Sequence, residues 1–270
     1  MKSPKRTITV AVLMVLFLGY GLVQPLRLKT TTLEIKNGDI PEAFVGKKLL
    51  FLSDIHFGHF LSKERLEAII TKANSLGPDA IFLGGDYIES NPADYATAFS
   101  KLGKLSAPLG VYGVLGNHDY RQAREHTLAQ MEAANIKSLN NSALWIPSGN
   151  DRIKVGGVGD LWMDEQTLTR TTDDTTEQDF VILLSHNPDY VREVNSSKID
   201  LALSGHTHAG QITLFGLWAP WVPSRYGQEL RYGLKEVGKT ALYITSGVGT
   251  TFLPLRFFTR PEMVVITLSH

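Results

Sequence analysis

The chain has 270 residues, 43% apolar and 20% charged, enough for one large α/β domain, and its lack of cysteine excludes disulfides and thiolate metal sites. Its 27 basic and 27 acidic residues balance overall, but residues 1–29 hold five bases (Lys2, Lys5, Arg6, Arg27, Lys29) and no acid. The remainder therefore carries 22 bases against 27 acids, a formal −5, the wrong sign for a nucleic-acid partner.

Residues 1–29 are predicted to be a membrane segment. Lys2, Lys5 and Arg6 precede an uncharged run from Ile8 to Val23, about 24 Å at helical rise against a bilayer core of about 30 Å. A buried helix of a soluble fold would have to be enclosed all round, because this run is apolar on every side. The exit Gly21-Leu22-Val23-Gln24-Pro25 offers no clean small-x-small cleavage site. An uncleaved signal anchor is therefore expected rather than a removed signal peptide. The basic tip favours a cytoplasmic N-terminus and an extracytoplasmic body, while Arg27 and Lys29 pull the other way.

Residues 30–270 read as one domain, with no internal repeat and no linker long enough to divide them. Residues 30–36 alternate as an edge strand. The apolar run 48–53 is predicted to be a buried strand ending at Asp54. The spacing of Leu66, Ile69, Ile70 and Ala73 predicts a helix over 62–76, closed by Gly77-Pro78. A second buried strand over 79–83 ends in Gly84-Gly85-Asp86, and a helix follows over 93–105. A third strand over 110–115 ends in Gly116-Asn117-His118-Asp119, before a helix over 121–135. Three strand–loop–helix units in succession are the pattern of a layered α/β domain.

The second half is richer in strands. Residues 143–146 and 152–158 are predicted strands around the turn Ser148-Gly149-Asn150-Asp151. Residues 164–179, full of Thr and Asp without an apolar period, are expected to form an exposed, mobile loop. A buried strand over 180–184 ends at His186, and 188–194 is a short helix. The run 199–203 ends at Ser204-Gly205-His206-Thr207-His208, and strands follow over 239–245 and 263–268.

Five times, a β-like run ends and a metal-capable side chain appears. Ligands of layered α/β folds sit beyond the carboxyl ends of the strands, and strand ends hold side chains more rigidly than free loops do. His206 and His208, two residues apart, would project to one side, and neutral imidazole is the commonest nitrogen ligand. Each block alone has an ordinary explanation: Asp54 as a cap, Asp86 or Asn117-His118-Asp119 as a polar turn, His186 as a core histidine. Their joint placement at five strand ends points to a metal centre.

The ordered blocks D-x-H (Asp54, His56), G-G-D (Asp86), G-N-H-D (Gly116 to Asp119), a lone His186 and G-H-x-H (Gly205 to His208) resemble the calcineurin-like metallophosphoesterases. Gly205 to Gln211 and Arg260-Pro261-Glu262 are further similar to the bacterial membrane-associated phosphodiesterase branch, from which Ala209 departs where that branch carries Gly. The resemblance implies an α-β-β-α sandwich after the N-terminal membrane helix, and a metal-dependent phosphoric ester hydrolase with two divalent metal ions per chain. One ion would take Asp54, His56 and His208, the other Asn117, His186 and His206, with Asp86 bridging. A bridging carboxylate can hold two cations about 3.5–4 Å apart, and such a pair acidifies a shared water for in-line attack on phosphorus. His118 would stand outside the metal shell and assist the transition state or the leaving oxygen, with Asp119 orienting its ring. Ligands of this kind without thiolate suit manganese, iron, zinc or cobalt, and manganese is the expected ion.

Trp218 and Trp221 follow closely, in the stretch 214–223. They either pack beneath the site or form an apolar lip that meets the membrane or the acyl chains of a lipid substrate. Residues 252–258 would extend the same patch. Arg225, Arg231 and Arg256 are candidates to hold a substrate phosphate, although a surface ion pair is the more ordinary use of each. Combined with the anchor, these features predict a membrane-proximal or lipid-linked phosphodiester or pyrophosphate as substrate. Some relatives hydrolyse UDP-diacylglucosamine in lipid A synthesis, which would require a site facing the cytoplasm. A non-catalytic metal-binding scaffold is the alternative from another class; it is expected to have lost Asp86 or His118, and both are present.

Overall fold

Runs of buried aliphatic and aromatic residues, apolar on both faces, place the strands where each has a packed layer above and below. In the computed structural model, which describes residues 4–194 and 196–270, the first half runs α1 (Pro4–Val23), β1 (Lys29–Lys36), β2 (Lys48–Leu52), α2 (Lys63–Ser75), β3 (Ala80–Leu83), α3 (Asp94–Leu102), β4 (Val111–Gly113) and α4 (Asn117–Ala133). Then come β5 (Lys137–Ser138), β6 (Ser142–Ser148), β7 (Asp151–Gly157), α5 (Thr169–Thr172), β8 (Val181–Leu184), α6 (Pro188–Glu193), β9 (Leu201–Ser204), β10 (Gly233–Val237), β11 (Thr240–Ile244) and β12 (Glu262–Ser269). Lys2 of the basic tip lies outside the described residues.

Two six-stranded sheets result, ordered β1-β12-β2-β3-β4-β5 and β10-β11-β9-β8-β7-β6. Alternation within each strand builds the layers. Leu49 and Phe51 of β2 face the second sheet, packing with Phe82, Ile182, Leu184 and Leu203, while Leu50 and Leu52 face α2 and α3 through Leu66, Ile70 and Phe99. Val181, Leu183 and Ile244 cover the outer face of the second sheet together with Val191 of α6. The fold is the expected α-β-β-α sandwich. Within it β2, β3 and β4 are parallel neighbours, as are β7, β8 and β9, so their carboxyl ends share one edge of each sheet.

Three details differ from the sequence reading, and a fourth gives a motif its role. Helix α4 starts at Asn117, because the Asp119 carboxylate accepts the Gly116 N–H (2.9 Å) and turns the G-N-H-D block itself into the first helical turn. Strand β5 is two residues long and β10 is half-exposed, and neither has an apolar run to announce it. Residues 164–179 do not form a free loop: Asp174 accepts from Lys154 Nζ (2.6 Å) and Trp145 Nε1 (2.8 Å), and Thr171 is buried. Arg260-Pro261-Glu262 is structural, with Glu262 buried and accepting from Ser246 N, Thr245 Oγ1 and Tyr232 OH beside Lys29 Nζ (3.0 Å).

Helix α1 is not a core element. Leu13, Val15 and Leu16 are 59–69% exposed, and Ile8–Leu26 is long and apolar enough to cross a membrane. That excludes the enclosed-helix alternative.

Candidate metal centre

The carboxyl ends of β2, β3, β4, β8 and β9 each run into a turn carrying one of the sequence-predicted residues. Asp54, His56, Asp86, His206 and His208 take up these turns at φ of 54°, 45°, 54°, 68° and 50°. This left-handed region costs a non-glycine residue on the order of 1–3 kcal/mol and persists only where the surroundings enforce it. They do so here. Asp54 N donates to Gly85 O (3.0 Å), His56 N to Asp86 O (3.0 Å) and His206 N to the Asp54 carboxylate (2.9 Å). The turns also press together: a Cβ on Gly85 would lie 2.8 Å from the Leu115 carbonyl carbon, so the close approach requires glycine. Ala209 is itself at φ 54°, which explains why glycine would be ordinary at that position.

The turns bring the predicted residues into two buried clusters. In the first, His56 Nε2 lies 3.0 Å from His208 Nε2, which is 3.5 Å from Asp54 Oδ1. In the second, His186 Nε2 lies 3.2 Å from Asp86 Oδ2 and 3.2 Å from His206 Nδ1. Asp86 Oδ2 is also 3.6 Å from His56 Nε2, so a single carboxylate oxygen faces both clusters. Asn117 is buried beside them and lines the same cavity.

Opposed charges and burial set the electrostatics of both clusters. Burial opposes ionisation of Asp86, yet the His186 ring holds its carboxyl well below the usual carboxylate range. Burial likewise disfavours a charged His186, and the Asp86 and Asp54 carboxylates outweigh it, raising the ring well above the ordinary histidine value. Burial and the neighbouring rings push His206 and His208 well down.

The donor set fits divalent cations on two further observations. Asp54 Oδ2, Asn117 Oδ1 and His206 Nε2 are buried without a hydrogen-bond partner among the described residues, a deficit of roughly 1–3 kcal/mol each unless something else binds them. The His186 tautomer is also set for ligation. Its Nδ1 lies 2.7 Å from Gly84 O, and a carbonyl only accepts, so Nδ1 keeps a proton and Nε2 is the atom whose proton a cation would displace to gain a lone pair.

His118 and Asp119 do not form the expected dyad. The Asp119 oxygens accept the backbone N–H groups of Asp86 (2.8 Å), Tyr87 (3.0 Å) and Gly116 (2.9 Å), so the carboxylate clamps two turns together. Burial and the nearby Asp86 push its pKa up to about 7. The His118 ring instead directs Nδ1 to Glu89 O at 2.7 Å. Asp119→Asn, which presents an N–H where the carboxylate accepts, is expected to cost about 1–3 kcal/mol. A lower melting midpoint with the metals bound would show it; an unchanged midpoint with lost turnover would restore the ring-orienting role.

Sequence reasoning missed Glu89 and Arg121. Glu89 Oε2 lies 2.6 Å from His56 Nδ1, the carboxylate–imidazole pairing that orients many metal-binding histidines. Its only signal was an acid three residues after Asp86. Arg121, one helical turn beyond His118, lines a cavity of about 450 Å³ whose floor includes His56, Asp86 and His208. None of the three arginines named from the sequence lines it. Arg225 pairs with Glu193 (2.9 Å), Arg231 donates to Ala209 O and Gly216 O, and Arg256 is buried among carbonyls.

Two carboxylate–imidazole clusters sharing an aspartate, at the strand ends of an α-β-β-α sandwich, define a metal-dependent hydrolase. Residues 47–210 match the calcineurin-like phosphoesterases, and the chain belongs to that family: it is a metal-dependent phosphoester hydrolase. It is 33% identical over 260 residues to the uncharacterized metallophosphoesterase YkuE of Bacillus subtilis, covering 93% of this chain and 90% of that one. It is 31% identical to phosphodiesterase YaeI of Escherichia coli, covering 82% of each. A transmembrane protein with metallophosphoesterase domain from Danio rerio is 29% identical over 99% of this chain, which spans 64% of that relative's length.

Proposed function

We propose that the chain is a dinuclear phosphodiesterase or pyrophosphatase acting on a membrane-proximal, lipid-linked phosphoester, with residues 1–29 as its anchor and 30–270 as its catalytic domain. The observation that carries this reading is Asp86 Oδ2, which faces His56 and His186 from one point. Asp54, His56 and His208 would hold one ion and Asn117, His186 and His206 the other, with Asp86 shared; a thiolate-free set of this kind supports manganese. Two such cations, when bound, supply an acidified water and neutralise charge on the phosphoryl oxygens.

The chain's own residues do the rest. Glu89 and Gly84 O fix the orientation of the His56 and His186 rings. At His118 the Glu89 carbonyl accepts the Nδ1 proton, so Nε2 is the ring atom left for the substrate, and from the doubly protonated ring it passes its proton to the leaving oxygen and returns to the neutral form. Arg121 on the cavity wall supplies a fork for a phosphoryl oxygen. The apolar mouth, with Trp221, Phe252 and Leu253, supports an amphipathic substrate. The basic tip ahead of the apolar span supports a body on the extracytoplasmic side, which argues against the UDP-diacylglucosamine alternative.

The test is hydrolysis of bis-p-nitrophenyl phosphate by the full-length protein in detergent, stripped of metal and resupplied with manganese. His118→Ala is expected to lower turnover by about 100- to 10,000-fold with metal content unchanged. Failure to bind metal, or equal turnover by the variant, would sink the reading.

A further inference from the structure

The apolar surface round the cavity mouth is continuous, not scattered. Phe215, Leu217, Trp218 and Trp221 on one loop and Phe252 and Leu253 on another are 50–82% exposed, a grouping that on a soluble surface marks an interaction site. Residues 212–223 and 250–255 carry no charged side chain. The Phe215 and Phe258 rings, 5.0 Å apart, join the two loops. The second loop in turn meets α1: Phe257 stacks on Phe17 at 4.4 Å, Tyr20 lies 5.3 Å from Phe258, and Arg256 N donates to Gly21 O (3.0 Å). Since Trp221, Phe252 and Leu253 also line the cavity, helix, loops and mouth form one surface.

The register of that contact sets the depth. The apolar span Ile8–Leu26 has 19 residues, about 28 Å at helical rise, close to a full hydrocarbon core of about 30 Å. Phe17 is at its middle, so about 14 Å of the span, half a bilayer, precedes that contact. Burying more of the span carries the loops beside Phe17 and Tyr20 below the membrane surface with it.

The loop tip is built for that environment. Lipid offers no hydrogen bonds, so an immersed backbone must satisfy itself. Leu214 N donates to Trp218 O (2.7 Å), Leu217 N to Leu214 O (3.0 Å) and Gly216 N to Thr213 Oγ1 (3.0 Å), while Arg231 Nη2 donates to Gly216 O (2.9 Å). Trp218 and Trp221 add the amphipathic rings favoured at the membrane–water boundary.

We propose that the loops 212–223 and 250–258 insert into the leaflet from which α1 emerges, so that the cavity opens at the bilayer surface and receives its phosphoester from that leaflet. This rests on the reading of α1 as a membrane anchor and deepens the proposed lipid-linked substrate.

The chain has no cysteine, so a single introduced one reports a single position. In full-length protein reconstituted into phosphatidylcholine–phosphatidylglycerol vesicles, a nitroxide at Leu217→Cys is expected to be relaxed by molecular oxygen more than by a water-soluble paramagnetic chelate. The order should reverse at Asn150→Cys, on the turn at the opposite end of the strands. A Leu217 label open to the chelate, or shielded from both relaxants as by a second protein, would overturn the proposal. An independent readout is quenching of tryptophan emission by lipids brominated near the headgroup. It should be largely lost in Trp218→Phe/Trp221→Phe, which leaves Trp145 and Trp162; equal quenching in both proteins would overturn the insertion. Neither readout uses turnover, so the surface and the phosphoesterase reading can fail separately.

Discussion

Asp86→Asn is expected to lose bound metal and to lower kcat/KM for bis-p-nitrophenyl phosphate by about 100- to 1,000-fold, the scale of removing one preorganised electrostatic group. The side chain is buried, and one of its oxygens faces Nε2 of both His56 and His186. An amide there is neutral and, in one of its two orientations, turns an N–H toward ring nitrogens that need an anion or a cation opposite them. The backbone bond from His118 N to Asp86 Oδ1 (2.8 Å) survives in that same orientation, with the amide oxygen on His118 N, so the fold is expected to persist. Metal analysis alongside turnover decides the matter. Near-normal turnover with both metals retained would remove Asp86 from the centre.

The second large effect is on stability. Arg256→Met is expected to destabilise the protein by about 3–5 kcal/mol, since several buried carbonyls lose their donor together. The guanidinium is fully buried, and its Nη2 donates to Ser246 O (2.8 Å) and Gly249 O (2.6 Å). Those residues belong to a loop that backs the centre: Val248 N donates to Ser53 O (2.9 Å) and Gly249 N to Asp54 O (2.7 Å). Methionine keeps much of the side chain's length but none of the donors. For a chain of this size the loss corresponds to a melting midpoint lower by roughly 10 °C. An unchanged midpoint with a raised KM alone would return Arg256 to the role of phosphate binder that the sequence suggested.

Arg256 also shows where sequence reasoning stops. An arginine downstream of a metal motif looks the same on paper whether it grips substrate or props a loop, and the difference lies in carbonyls seven and ten residues away. Asp119 is a similar case. Adjacent to His118 in the chain, it invited a dyad, but in the first turn of α4 its carboxylate turns back to the N–H groups of Gly116, Asp86 and Tyr87. Glu89 and Arg121 were passed over because neither stands in a motif. One is brought to His56 by the parallel bridge between Phe57 and Ile88, the other to the cavity by the pitch of a helix.

What the sequence determined by itself is whatever local rules control. Continuous apolar runs and turn residues act within a few positions, so the site-bearing strands, the ligand-type residues at their ends, the apolar N-terminal span and the family were all legible before any fold was drawn. Only the tertiary structure decided which oxygen faces which nitrogen. His56 meets His208 and Asp54 meets His206 across 152 residues of chain, at left-handed turns that no local preference would select and that only the packed sheets enforce. The same holds for α1. Its composition makes it apolar enough to cross a membrane, but the stacking of Phe17 on Phe257 is what sets the cavity mouth beside it.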